Sequence, residues 1–93
     1  MKFKVLGKFN ILNLMRKLGY HPLQNGKSYS RRIQSREFPR FHIYLQGKDN
    51  DLEFSIHLDQ KANCYQGQTA HSGDYEGPLL EGEKERINNI INI

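Results

Sequence analysis

Four residues in this 93-residue chain are of types that bind metals or carry protons, and they are spaced so that a fold could gather them: His42, His57, Asp59 and His71. His57 and Asp59 stand two apart, so in a strand they share a face. The carboxylate can then co-ligate a metal with the imidazole or orient the ring as a proton carrier. With His42 on a neighbouring strand and His71 arriving on a loop, three imidazoles and a carboxylate form a donor set suited to zinc, nickel or manganese. No HExxH-type spacing fixes such a site. The same residues are also accounted for as exposed strand histidines beside a salt-bridged aspartate. His71 has a second use as a general acid or base, next to Ser72 and close to Tyr75, with Gly73 letting the backbone bend around a phosphate. An ordinary turn is the alternative there. Cys64 has no neighbour that would activate it and is read as a packing residue.

A second group is basic. Arg31, Arg32, Arg36 and Arg40 fall around the expected first hairpin with Tyr29, Phe38 and Tyr44 interleaved, and Arg16, Lys17 and Lys27 extend the set. Guanidinium groups match phosphate geometry and aromatic rings stack on unpaired bases, a combination that points to RNA. Charge placement agrees. Residues 1–40 hold ten Lys or Arg against one acid, a net +9, whereas residues 41–93 hold four against nine, a net −5. Such a split suits a polyanionic partner for the first half, or neutralisation of one half by the other within the chain or across a dimer. Solvated faces of opposite sign would look the same.

These side chains need elements to position them. Asn10 is a good helix N-cap, Phe9 and Leu14 take the two places of a hydrophobic staple, and Ile11, Leu14, Met15 and Leu18 form one apolar stripe. Arg16 and Lys17 then occupy the last turn, Gly19 the left-handed stop, and Pro22 prevents resumption. Phe3 and Val5 alternate with lysines, which suits a short edge strand or an ordered arm. After the Asn25-Gly26 turn, residues 28–34 read as a strand in which Arg31 spoils the alternation. Phe41, Ile43 and Leu45 then oppose Arg40, His42, Tyr44 and Gln46, and a turn over 47–51 leads to Leu52, Phe54, Ile56 and Leu58 alternating with Glu53, Ser55, His57 and Asp59. Pairing Ile43 with Phe54 and Leu45 with Leu52 places Tyr44 opposite Glu53, His42 opposite Ser55 and Arg40 opposite His57, with His42 and His57 as diagonal neighbours. The stretch 60–77 lacks periodicity and reads as a long functional or flexible loop. Pro78 opens a closing helix with Glu81, Glu83 and Glu85 toward its positive end and Leu80, Ile87, Ile90 and Ile91 as its buried stripe. The expected fold is α+β: a small three-stranded antiparallel sheet with two helices on one face, in the order αβββα, leaving the other sheet face wet.

At Leu14-Met15-Arg16-Lys17-Leu18-Gly19-Tyr20, followed by Gly26-Lys27-Ser28-Tyr29, the chain resembles the HicA-type toxins of bacterial toxin-antitoxin pairs. Phe54-Ser55-Ile56-His57 looks like that family's third strand, and residues 77–91 look like its closing helix. The resemblance implies a double-stranded-RNA-binding-like fold, RNA cleavage and an antitoxin partner. Two departures bear on activity. The family's catalytic histidine follows a Gly-Ser pair, whereas here Lys27 separates Gly26 from Ser28 and Tyr29 stands in the histidine's place. The 60–77 loop is also longer than the family implies. Catalysis would therefore fall to His57, His71 and Asp59.

Size and composition set the outer bounds. A chain this short forms a single domain, and its 37% hydrophobic residues and ten aromatics exclude wholesale disorder. No stretch is long and apolar enough for a membrane span, the first nine residues lack a signal peptide's apolar run, and one cysteine permits no internal disulfide, so a cytoplasmic location is expected. Three functions fit these residues. One is RNA binding through Arg16, Lys17, Lys27, Tyr29, Arg31, Arg32, Arg36 and Arg40, with or without ribonuclease activity. Another is a divalent-metal or hydrolytic site at His42, His57, Asp59 and His71. The third is a module that dimerises or docks an antitoxin-like protein.

Overall fold

The computed structural model describes residues 1–24, 26–48, 51–60, 73–74 and 76–92. Along the chain run β1 (Lys2–Leu6), α1 (Ile11–Lys17), β2 (His21–Pro22), β3 (Ser28–Arg32), β4 (Arg40–Lys48), β5 (Asp51–Asp59), β6 (Gly73–Asp74) and α2 (Pro78–Ile91). All strand pairings are antiparallel, in the spatial order β1-β5-β4-β3-β2, and β6 pairs with the end of β5 through Leu58↔Asp74 and Asp59↔Gly73. The α+β class is as expected, but the three-stranded αβββα arrangement is not what forms, and the double-stranded-RNA-binding-like layout is corrected with it. Phe3 and Val5 point inward against Phe54 and Leu52, which makes the first residues a full edge strand. β2 and β6 are two residues long, too short to leave any periodic trace.

The inner face of the sheet buries Phe3, Val5, Phe41, Ile43, Leu52, Phe54, Ile56 and Leu58. Leu14, Met15 and Leu18 of the α1 region, Tyr20, and Leu80 and Ile87 of α2 join them in one cluster. Burying each such aliphatic or aromatic side chain contributes about 1.5–3 kcal/mol, offset by the entropy of ordering the chain. Asn10 caps α1 by accepting from the Asn13 amide at 3.0 Å. Gly19 ends it with a φ of +88°, while the Gly19 and Tyr20 amides return to the Arg16 and Met15 carbonyls, the paired bonds of a Schellman motif. Ile11 belongs to the expected stripe by spacing, but it sits in the first turn and stays 37% exposed. Among the described residues no helix is long and apolar enough to cross a membrane.

β4 and β5 pair along their whole length, from Arg40↔Asp59 to Lys48↔Asp51. Only residues 49 and 50 lie between the strands. The expected register, Ile43 with Phe54 and Leu45 with Leu52, is displaced by two from the observed pairs, which are Ile43↔Ile56, Leu45↔Phe54, Tyr44↔Ser55 and His42↔His57. Apolar alternation cannot separate the two registers, because a two-residue shift keeps every side chain on its face. The observed register places a glycine requirement at Gly47. Its φ is +96°, and a Cβ there would overlap the Asp51 carbonyl oxygen.

α2 is fastened to the rest by a buried polar network. Glu83 falls on the inward stripe between Leu80 and Ile87, at spacings of three and four, and is almost wholly buried. Its carboxylate accepts from the Tyr20 hydroxyl at 2.6 Å and from Arg86 at 2.8 and 2.9 Å, and Arg31 approaches at 3.4 Å. Arg86 also donates to the Leu18 carbonyl at 2.6 Å. One network thus joins α2, the end of α1 and β3. It also explains why Arg31 breaks the alternation of β3: its charge faces inward because Glu83 is there.

Two expected outcomes follow from this geometry. Gly47→Ala should lower stability by about 1–3 kcal/mol in denaturant unfolding, because alanine needs the backbone to move there. Burial, together with the charge and hydrogen bond of Glu83, holds the Tyr20 hydroxyl well above its ordinary value of 10.0. Tyr20 therefore stabilises the fold fully below about pH 10. Above that the unfolded tyrosine ionises while the folded one does not, and stability should fall by about 1.4 kcal/mol per pH unit. Tyr20→Phe should be less stable at neutral pH and should lack this component of the alkaline fall, as read from melts between pH 8 and 11.

Candidate metal centre

The register of β4 and β5 brings three of the chemically capable residues together on the outer sheet face. His42 stands directly opposite His57, Arg40 stands opposite Asp59, and Asp59 is His57's neighbour two residues along. The His42 Nδ1 lies 3.1 Å from Asp59 Oδ2, and the His57 Nε2 lies 2.8 Å from Asp59 Oδ1. One carboxylate thus receives one imidazole on each oxygen, and Arg40 Nε adds a third contact to Oδ2 at 3.3 Å. Burial alone would raise the Asp59 carboxyl, but the hydrogen bonds from His42 and His57 and their positive charge hold it well below the usual carboxylate range. Asp59 is therefore an anion, and each nitrogen facing it carries a proton in the metal-free state.

Aromatic rings frame the cluster. His42 stacks on Tyr44 with centroids 4.7 Å apart and meets the His57 ring at 4.6 Å, while Tyr44 and His57 lie 6.1 Å apart. The face is not evenly wet as alternation implies: Tyr44 is 40% exposed, whereas His42 and Ser30 are 9% exposed and Ser28 is sealed. Side chains of His57 and Asp59 are only 14% and 16% exposed. Of the alternative, exposed strand histidines beside a salt-bridged aspartate, the exposure is corrected and the ion-paired aspartate is as expected. Arg40 is held in turn by Glu37 at 3.8 Å and by the Phe38 ring, 4.6 Å from its guanidinium carbon.

One nitrogen of each imidazole and one oxygen of Asp59 lie within 4.8 Å of one another, close enough for a single ion to draw in all three. Two imidazoles and one carboxylate suit zinc, nickel or non-haem iron and leave coordination positions for water or substrate. Arg40, bonded to the carboxylate, would orient it in the way that outer partners orient metal ligands. His42 Nε2, the ring nitrogen that does not face Asp59, is buried and has no hydrogen-bond partner among the described residues, an arrangement that costs about 1–3 kcal/mol when nothing fills it.

The other expected site residues separate. His71, Ser72, Tyr75 and Cys64 lie outside the described residues, as does most of the 60–77 stretch. Tyr29 packs half-buried against the core, and Arg31 turns to Glu83. Arg40 serves Asp59. Arg16 and Lys17 are exposed on the helix layer, Lys27 is exposed just before β3, Arg32 ends β3, and Arg36 lies exposed between β3 and β4. Of the eight, Tyr29, Arg31 and Arg40 are thus engaged within the fold and the other five are exposed. Glu83 and Tyr44 were missed as site-forming residues. The Leu80-Glu83-Ile87 spacing was the available signal for the first, and the second needed the register. Fold and cluster together define a small antiparallel α+β domain with a shielded His-His-Asp group on its outer face. The chain matches no protein family, no curated protein and no solved structure.

Proposed function

We propose that this protein binds a divalent transition-metal ion through His42, His57 and Asp59 and that the centre is hydrolytic in type. The observation that carries this is the convergence of two imidazole nitrogens on one shielded carboxylate. Three protein ligands are the number found at catalytic rather than closed structural zinc sites. A metal held there supplies a Lewis acid and an activated water. Asp59 and Arg40 contribute orientation, and the surrounding rings exclude solvent. His71 is a candidate fourth donor on sequence grounds, and a cytoplasmic location is part of the proposal.

Zinc or cobalt at saturating concentration should raise the melting temperature by roughly 10 °C, the size expected when a ligand at about a hundred times its dissociation constant binds a domain this small. His57→Ala and His42→Ala should each abolish the shift, whereas His21→Ala should not. His71→Ala reports on the fourth donor. Binding should weaken with acid, because both imidazoles must lose the proton on the ligating nitrogen. A metal-independent melting temperature would overturn the proposal.

Exposed Arg16, Lys17, Arg32 and Arg36 favour a second activity, RNA binding, which the resemblance to HicA-type toxins extends to cleavage and to an antitoxin partner. Arg32→Ala combined with Arg36→Ala should weaken RNA binding and reduce its logarithmic salt slope by about 1–2. Tyr29→Ala should act by destabilising the fold instead, and Arg31→Ala should lower stability through the Glu83 network whatever it does to binding. Filter binding at two salt concentrations, with melts of each variant, separates the two effects.

A further inference from the structure

β3 runs two residues past the end of its short edge partner. β2 pairs only as His21↔Ser30 and Pro22↔Tyr29, so among the described residues Arg31 and Arg32 have no strand beside them on that edge, where the chain is leaving α1 through Gly19. Successive strand residues normally face opposite sides of a sheet. At this free edge both arginines instead line one pocket, of about 510 Å³, together with Gly19 and His21. Among the described residues no acid lines it.

Arg31 is positioned there without being neutralised. Glu83 carries one negative charge, and its two oxygens are taken by Tyr20 at 2.6 Å and by both bonds of Arg86 at 2.8 and 2.9 Å. The 3.4 Å approach of Arg31 is the longest of the set. With Arg86 already balancing Glu83, the positive charge of Arg31 is in surplus. The Phe41 ring, 5.9 Å from its guanidinium carbon, steadies the group from the other side. Arg32 is exposed beside it, and His21 is an exposed imidazole across the gap. At Gly19 the backbone itself forms the wall. A Cβ there would stand 3.6 Å from Arg31 Nε and would narrow the pocket in front of the guanidinium.

We infer that the pocket of Gly19, His21, Arg31 and Arg32 is a second binding site, for the phosphate group of a phosphate ester. Two guanidinium forks and an imidazole offer donors in the planar, paired arrangement that phosphate oxygens accept, and two fixed positive charges suit a dianion better than a single carboxylate. The volume exceeds that of a bare phosphate and falls in the range of small-molecule sites, leaving room for an attached nucleoside-sized group. The site shares no residue with the His42-His57-Asp59 centre, so it stands or falls separately from the metal proposal.

The test is a titration of the full chain, without added metal, followed by amide NMR shifts, using inorganic phosphate, adenosine 5′-monophosphate and a ten-nucleotide oligouridylate as probes. Saturable shifts at Gly19, His21, Arg31 and Arg32 are expected with phosphate and the monophosphate. Arg32→Ala, whose side chain lies outside the Glu83 network, should weaken binding about tenfold or more, while Lys17→Ala, exposed but outside the pocket, should change it less than about twofold. If the oligonucleotide binds more tightly than the monophosphate and loses that advantage in Arg32→Ala, the source of the phosphate is an RNA backbone. If it does not, the source is a free phosphate ester. Non-saturable shifts, or equal weakening by Arg32→Ala and Lys17→Ala, would reduce the pocket to diffuse surface charge and overturn the inference.

Discussion

The pairing register of β4 with β5 is the constraint on which the rest of the molecule depends. It sets the inner face, where Ile43 meets Ile56 and Leu45 meets Phe54, and the outer face, where His42 meets His57 and Arg40 meets Asp59. A slip of two residues would leave the core chemically similar, with one aliphatic or aromatic residue replacing another. It would not leave the site intact, because His42 would face Ser55 and Asp59 would lose Arg40. The hydrophobic effect is therefore nearly indifferent to the feature that assembles the His-His-Asp cluster. At Gly47 the observed register has a positive φ and brings the Asp51 carbonyl so close that only a glycine fits.

Polar groups on the two faces of the sheet are handled in parallel ways. On the inner face Glu83 is enclosed by Tyr20, Arg86 and Arg31, and on the outer face Asp59 is enclosed by His42, His57 and Arg40. Each is a carboxylate removed from water and compensated by several donors, the condition under which a buried charge is tolerable. The difference lies in the donors. Glu83 is met by a hydroxyl and by guanidinium groups, which stay protonated at neutral pH and fasten α2 in place. Asp59 is met by imidazoles, which can exchange a proton for a metal.

Much of the scaffold was legible in the sequence because its signals are local. The Asn10 cap, the Gly19 stop, the alternation of β4 and β5 and the Pro78 start of α2 all stand where spacing places them. What was not legible is what depends on pairing. β2 and β6 are too short to carry a period, β1 could be told from an ordered arm only once Phe54 and Leu52 were seen opposite it, and the β4–β5 register lies two residues from the expected one. The His57-Asp59 pair was visible from its spacing and His42 as a diagonal neighbour, whereas the direct opposition of the two histidines was not. The pairing of two members of the basic set, Arg31 with Glu83 and Arg40 with Asp59, was hidden for a related reason: the partners lie far away in sequence.

The most direct test of the central claim is a zinc titration followed by the ring-nitrogen NMR signals of the histidines. If His42, His57 and Asp59 form one centre, the His42 and His57 nitrogens facing Asp59 should lose their protons and shift together at one equivalent of zinc, with His21 unchanged. Shifts confined to His21 or His71, or none up to millimolar zinc, would contradict the account and leave the cluster as an internal ion pair.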